Sequence, residues 1–119
     1  MTPNGPFGEE QIKQLRNSLP VPEYRVMEKM MPRLSNIVDE ARQRGLTRST
    51  FYLGLGIPNL PIRAKFSDRS GNSMMRNLSL RRIWEEEAGT PYTLLDAVRM
   101  ESAITRLIQG LDGFTDTRY

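Results

Sequence analysis

An apolar stripe between Glu23 and Arg44 is the feature that most constrains the fold. Its members recur at steps of three and four residues, which places them on one face of an α-helix: Met27, Met30, Met31, Leu34, Ile37, Val38 and Ala41. Pro32 lies inside the stripe and removes one backbone donor, yet the stripe stays in phase across it. The pattern therefore predicts either one kinked helix or two helices, with Pro32 in the first turn of the second.

Three other segments combine apolar helical spacing with start and stop signals. The first is a short helix that begins at Glu9 and ends before Pro20. The second begins at a Ser73 cap and stops at Gly89. The last has Thr90 as its cap and Pro91 in its first position, and it stops at Gly110. The last helix is expected to turn these residues inward: Leu94, Ala97, Val98, Met100, Ile104, Leu107 and Ile108.

Residues 45–73 carry the least decisive pattern. Apolar and other residues alternate from Leu60 to Phe66, which is strand-like spacing. The segment fits either a short β-hairpin near 50–66 or a two-turn helix at 47–53 followed by an extended loop. The predicted fold is therefore mainly α, with four to five helices and at most that hairpin. Residues 1–8 and 111–119 are expected to be flexible ends of a single helical domain at 9–110.

Composition removes most enzyme chemistry. The 119 residues include no cysteine and no histidine, so disulfides, thiolate metal sites, the commonest general base and the commonest transition-metal ligand are absent. A non-enzymatic protein without metal or small-molecule cofactor is predicted. The first residues lack the basic and apolar regions of a signal peptide, and no apolar run is long enough to span a membrane. We therefore expect a cytoplasmic protein that does not contact membranes.

Charge is concentrated in the middle of the chain. The window from Arg42 to Arg82 contains nine basic residues and one acid, Asp68, for a formal charge of +8. The flanking segments carry −1 and −4, so the net charge of +3 conceals a strong asymmetry. Blocks of one sign often mark interaction surfaces.

Arginine-rich surfaces with interleaved aromatics suit nucleic acid, because guanidinium groups match phosphate oxygens and aromatic rings stack on unpaired bases. The predicted nucleic-acid-binding residues are Arg42, Arg44, Arg48, Tyr52, Arg63, Lys65, Arg69, Arg76, Arg81 and Arg82. Changing Arg44, Arg48, Arg63 and Lys65 to Glu is expected to abolish binding of DNA or RNA. Two other interpretations remain open. The basic residues could be scattered over several faces, or they could pair with acids of the C-terminal third.

A helix-turn-helix is one hypothesis for residues 34–53. Ala41 is small enough for two helices to cross, Gly45 suits the turn, and Thr47 can cap a second helix. Arg48, Ser49 and Tyr52 would then face a DNA groove. The stretch 41–52 resembles bacterial repressor helix-turn-helices, which implies DNA binding. The alternative is a helix that stops at Gly45 and is followed by a strand.

A second functional hypothesis is a self-assembling structural or adaptor protein, such as a viral or phage coat or nucleoprotein-like subunit. Its basic middle would meet the acidic C-terminal helix of a neighbour in a homo-oligomer. Arg76-Asn77-Leu78, Thr90-Pro91, Met100, Arg106-Leu107 and Gly110-Leu111-Asp112-Gly113 occur in an order similar to that of coat proteins of flexuous plant viruses. The spacings between them differ from that family's, so the likeness supports only this alternative.

Overall fold

The computed structural model describes residues 6–111 and 114–116. Their secondary-structure elements are α1 (Glu9–Ser18), α2 (Val21–Gln43), β1 (Arg48–Leu53), β2 (Ile62–Ser67), β3 (Ser73–Leu78), α3 (Arg81–Ala88), α4 (Leu94–Gln109) and β4 (Thr115–Asp116).

The strands form one sheet in the order β3-β2-β1-β4. The three longer strands are antiparallel: Arg48 of β1 lies opposite Ser67 of β2, and Ile62 of β2 lies opposite Leu78 of β3. The two-residue β4 pairs in parallel with the start of β1. Helix α4 contacts β1 and helix α2 contacts β3, so the fold has one layer of helices and one layer of sheet.

The prediction of a mainly α fold is wrong, because the described residues form an α+β fold with four helices and three long antiparallel strands. The difference lies mostly at residues 73–80, where the apolar spacing predicts a helix capped by Ser73. Met74 and Leu78 are buried there at strand spacing, and Met74 pairs with Phe66 of β2. The helix begins at Arg81 instead. Its predicted stop is confirmed, since Gly89 adopts a φ of 70° at the C-cap.

Helix α2 confirms the apolar stripe, because all seven of its members are buried. One continuous helix runs through Pro32, so the two-helix alternative is wrong. Pro32 lies on the exposed side of the helix. Water can therefore solvate the carbonyl that has lost its helical donor. The short helix predicted from Glu9 is also confirmed.

Helix α4 begins later than predicted. Its N-cap is Thr93, whose side chain accepts a hydrogen bond from the Asp96 amide at 3.3 Å, while the Asp96 carboxylate accepts one from the Thr93 amide at 2.9 Å. Thr90 is therefore not the cap. Leu94 and Val98 are 52% and 43% exposed rather than inward-facing. The other five residues predicted to face inward are buried.

The core lies between the sheet and the helices. Phe51 and Phe66 meet edge to face at 5.9 Å, and Phe66 makes a second such contact with Phe114 at 5.7 Å. Phe7 and Leu111 are also buried. Of the two ends predicted to be flexible, residues 1–5, 112–113 and 117–119 lie outside the described residues.

None of the helices in the described part of the chain combines the length and apolar character needed to cross a membrane.

Candidate nucleic-acid interface

One face of the sheet is turned away from the core. Strand side chains alternate between the two faces, and the register assigns nine residues to this side, here called the outer face: Arg48, Thr50, Tyr52, Arg63, Lys65, Ser67, Ser73, Met75 and Asn77. All nine are exposed or half-buried. Their opposite neighbours, such as Phe51, Ala64 and Phe66, are buried. The outer face contains three basic residues and no carboxylate.

The register arranges these residues in three rows across the strands. Arg48 lies in the first row, Lys65 in the second and Arg63 in the third. Successive rows are two residues apart along a strand, or about 6.8 Å. Each row therefore carries one basic side chain, Arg48 on β1 and the other two on the adjacent β2, so that the three follow one another in the strand direction.

The three cations of the outer face form no ion pair within residues 6–111 and 114–116. The Nε atom of Arg63 is buried and also lacks a hydrogen-bond acceptor among these residues. An unmatched buried donor of this kind costs free energy. Arg48, Arg63 and Lys65 therefore have no carboxylate within ion-pair distance in the part of the protein that the structure describes.

Tyr52 supplies an aromatic surface on the same face. Its hydroxyl donates a hydrogen bond to the sulfur of Met75 at 3.2 Å. Because β1 and β3 are separated by β2, their axes are about 9.6 Å apart. The Tyr52 side chain therefore lies along the sheet, across β2, between the rows of Arg63 and Lys65. It remains 37% exposed.

Two predicted site residues lie elsewhere and are held by one carboxylate. Arg76 points to the helix side of the sheet, where it donates to Glu40 of α2 at 2.5 Å. Arg44 lies 3.6 Å from the same carboxylate. Arg76 also donates to the backbone oxygen of Met75 at 2.8 Å. These contacts tie β3 to α2 and keep both arginines away from the outer face.

Two more predicted residues are paired within α3. Arg81 lies 3.6 Å from Glu85, and Arg82 lies 3.1 Å from Glu86, both at the helical spacing of four residues. Arg81 also donates to the side chain of Asn59 at 3.2 Å. The pairing with acids of the C-terminal third, one of the interpretations left open, therefore describes these two residues.

Arg42 and Arg69 flank the sheet without belonging to the outer face. The guanidinium of Arg42 lies 5.3 Å from the ring centroid of Phe114. Arg69, in the turn between β2 and β3, lines an open depression of about 410 Å³ together with Arg48 and Asp68. A hydrogen bond from the Asn72 side chain, with backbone amides of the same turn, holds the pKa of Asp68 below its usual value. Asp68 is therefore ionised at neutral pH and offsets one positive charge at this end.

The helix-turn-helix hypothesis is wrong. Helix α2 ends before Gly45, which has a φ of 72°, and the Leu46 amide donates to the Ala41 carbonyl at 2.9 Å. Residues 48–53 then form β1, paired along their length with β2. Buried and outward-facing side chains alternate along this segment, with Ser49 and Phe51 buried. This alternation is the pattern of a strand and not of a helix. The alternative of a helix stop followed by a strand is confirmed.

Sequence reasoning missed three polar or flexible side chains of the outer face: Ser73, Met75 and Asn77. The sequence predicts a helix for this segment, and a helix would not place these three side chains on one face. The sequence carries no signal that finds them, because Met74 and Leu78 are four residues apart and this spacing fits a helix as well as a strand.

The fold and the site together define a two-layer α+β protein with an open, basic sheet face. No family model matches the chain, and no curated protein sequence or solved structure matches it either.

Proposed function

We propose that this protein binds nucleic acid, without catalysis, through the outer face of its sheet. The supporting observation is the series of Arg48, Lys65 and Arg63, one per row, unpaired among the described residues and free of carboxylate neighbours on that face. Phosphate oxygens would complement these cations and release counterions on binding. Tyr52 adds an aromatic contact that phosphate binding alone does not need. A cytoplasmic site of action is part of this proposal.

The proposed residue set is narrower than the sequence alone suggested. Arg44 is no longer a target for mutation, because it forms an ion pair with Glu40 on the helix side of the sheet. Arg76, Arg81 and Arg82 are set aside because each forms an ion pair, Arg76 with the Glu40 carboxylate that Arg44 also approaches. The remaining contacts are made by Arg48, Tyr52, Arg63 and Lys65, with Arg69 at the margin.

A salt series of fluorescence anisotropy with labelled oligonucleotides tests the proposal. Each phosphate contact to a single strand contributes about −0.7 to the slope of log affinity against log salt, so three contacts predict a slope of about −2. Absence of binding at low salt, or binding with a slope near zero, would contradict the proposal. Poly-glutamate of similar length serves as the control polyanion.

The second candidate function, self-assembly, finds support on a different surface from the one first expected. Two acids of the C-terminal third, Glu85 and Glu86, are already engaged, since they pair with arginines of their own helix. The first turns of α4 instead expose three apolar side chains, Leu94, Leu95 and Val98. Assembly through these residues predicts larger species in light scattering that persist at high salt. Assembly through charges predicts species that dissociate at high salt.

A further inference from the structure

We infer that the ligand of the outer face is an unpaired strand of RNA or DNA, lying along the strand direction of the sheet, and not a duplex. This inference rests on the proposed function and specifies its substrate class. It follows from the position of Tyr52, from the side chains around it on the outer face, and from the finding that the predicted recognition helix is a strand.

The position of Tyr52 favours unpaired bases. Its side chain lies along the sheet between the rows of Arg63 and Lys65. A base stacked on this ring would have a cation on either side for the flanking phosphates. In a duplex the base faces are covered by their neighbours, and only base edges and phosphates can be reached from outside. A sheet face that presents an aromatic ring among cations therefore suits a strand whose bases can turn toward it.

The remaining residues of the outer face fit the same ligand. Thr50, Ser67, Ser73 and Asn77 bring hydroxyl and amide groups that can donate to or accept from base edges. Met75, beside Tyr52, adds a polarisable apolar contact. Such a mixture surrounds the bases in single-strand sites, whereas a surface that only positions a duplex needs phosphate contacts alone.

Neither the predicted recognition helix nor α3 offers the usual duplex-reading arrangement, in which a helix enters the major groove. The segment predicted as a recognition helix is strand β1. Helix α3 has two arginines, but both pair with glutamates one turn later. Among the described residues, Arg48, Arg63 and Lys65 form no ion pair and share the outer face with an aromatic side chain, Tyr52. Arg25, Lys29 and Arg33 of α2 also form no ion pair there and lie at spacings of four residues on the helix.

The rows also set the length of the site. Three rows about 6.8 Å apart span roughly three successive nucleotides of an extended strand, one nucleotide for each row. Arg69, beyond Arg48 at the end of the sheet, can add one more phosphate contact. The minimal site is therefore about four nucleotides, at the short end of the range for sheet-based single-strand modules.

Three comparisons of affinity, measured by anisotropy, test the inference. The first compares single strands with the matching hairpin duplex, in both DNA and RNA, and the second compares oligothymidine and oligouridine of increasing length. The third compares the variants Tyr52→Ala and Tyr52→Phe. Tyr52→Ala is expected to weaken single-strand binding about tenfold or more, because one stacked base is lost. Tyr52→Phe keeps the ring and loses only the hydrogen bond to Met75, so its affinity should stay near that of the unaltered protein. Circular dichroism and thermal unfolding confirm that both variants fold.

The outcomes separate the inference from the function on which it rests. Preference for single strands, a gain in affinity that levels off near four nucleotides, and loss on Tyr52→Ala support the inference. Equal or tighter duplex binding, or an unchanged Tyr52→Ala affinity beside a steep salt slope, overturns the inference and leaves the proposed function standing. No salt-dependent binding to any strand overturns both.

Discussion

The Tyr52 hydroxyl donates a hydrogen bond to the Met75 sulfur, 3.2 Å away on the other side of strand β2. This contact joins the first and third strands across the outer face and lays an aromatic ring between two rows of cations. It exists only because residues 48–53, 62–67 and 73–78 pair in one specific register. The candidate site is thus a product of sheet formation.

The Glu40–Arg76 ion pair, which fastens β3 to α2, should contribute to stability but not to binding. Both side chains are about one-third exposed, so solvent screens the pair. A double-mutant cycle of Glu40→Gln and Arg76→Gln, followed by urea denaturation, should give a coupling energy of up to about 1 kcal/mol. Affinity for single strands should change little in Arg76→Gln, since this arginine faces the helices. A strong loss of affinity in that variant would show that the ligand reaches the helix side.

Phe66 should be among the most costly core residues to truncate. It is fully buried and contacts both Phe51 and Phe114. Phe66→Ala is expected to lower the free energy of unfolding by about 3–5 kcal/mol, through lost burial and the cavity left behind. Phe114→Ala should cost distinctly less, because Phe114 is only half-buried. Equal losses in urea denaturation would contradict this order.

Tyr92 should make stability fall at high pH. Burial, and to a lesser extent the charge of Asp96, raises the pKa of Tyr92 to about 12 from an ordinary value of 10.0. The folded state therefore retains a proton that the unfolded state releases, so this contribution is complete below pH 10 and is lost as pH rises toward 12. Its hydroxyl has no hydrogen-bond partner among the described residues. Tyr92→Phe should thus leave neutral-pH stability nearly unchanged and reduce the fall between these pH values. An unaltered pH profile in the variant would contradict the assignment.

Gly45 should resist substitution because its backbone is left-handed. A side chain at this position would meet open space, but its φ of 72° is unfavourable for residues with a Cβ. Gly45→Ala is expected to lower the free energy of unfolding by about 1 kcal/mol. Gly56 offers a matched control, since it also has open space around it but no positive φ. Thermal unfolding of the two alanine variants should separate them, and equal midpoints would argue against strain at Gly45.

Sequence reasoning succeeded where structure is local. The stripe of α2 and the stop at Gly89 depend on residues within a few turns of each other, and both are confirmed. The sheet depends on pairing between distant segments. Residues 73–78 contain apolar positions that fit a helix as well as a strand, and only the contact of Met74 with Phe66 decides between them. This is why the fold class was wrong although three of the four helices were largely in place.

The candidate site was foreseen in part for the same reason. The basic window contains all three cations of the outer face, but neighbours in sequence do not share a face unless their spacing matches the local structure. Arg63 and Lys65 are two apart on one strand and therefore project together. Arg76 projects to the opposite side, where Glu40 of a distant helix neutralises it. No pattern within the window reveals that partner.

The central claim, that the outer face and not the overall positive charge binds nucleic acid, is tested most directly by two variants of equal charge. One replaces Arg48, Arg63 and Lys65 with Gln. The other also introduces Gln, but at Arg44, Arg81 and Arg82. These three arginines pair with Glu40, Glu85 and Glu86. Each variant loses three positive charges from a net of +3. In the salt series, the first should lose most of its affinity, its slope moving from about −2 toward zero, while the second should keep that slope. Equal losses in the two variants, or none in the first, would contradict the claim.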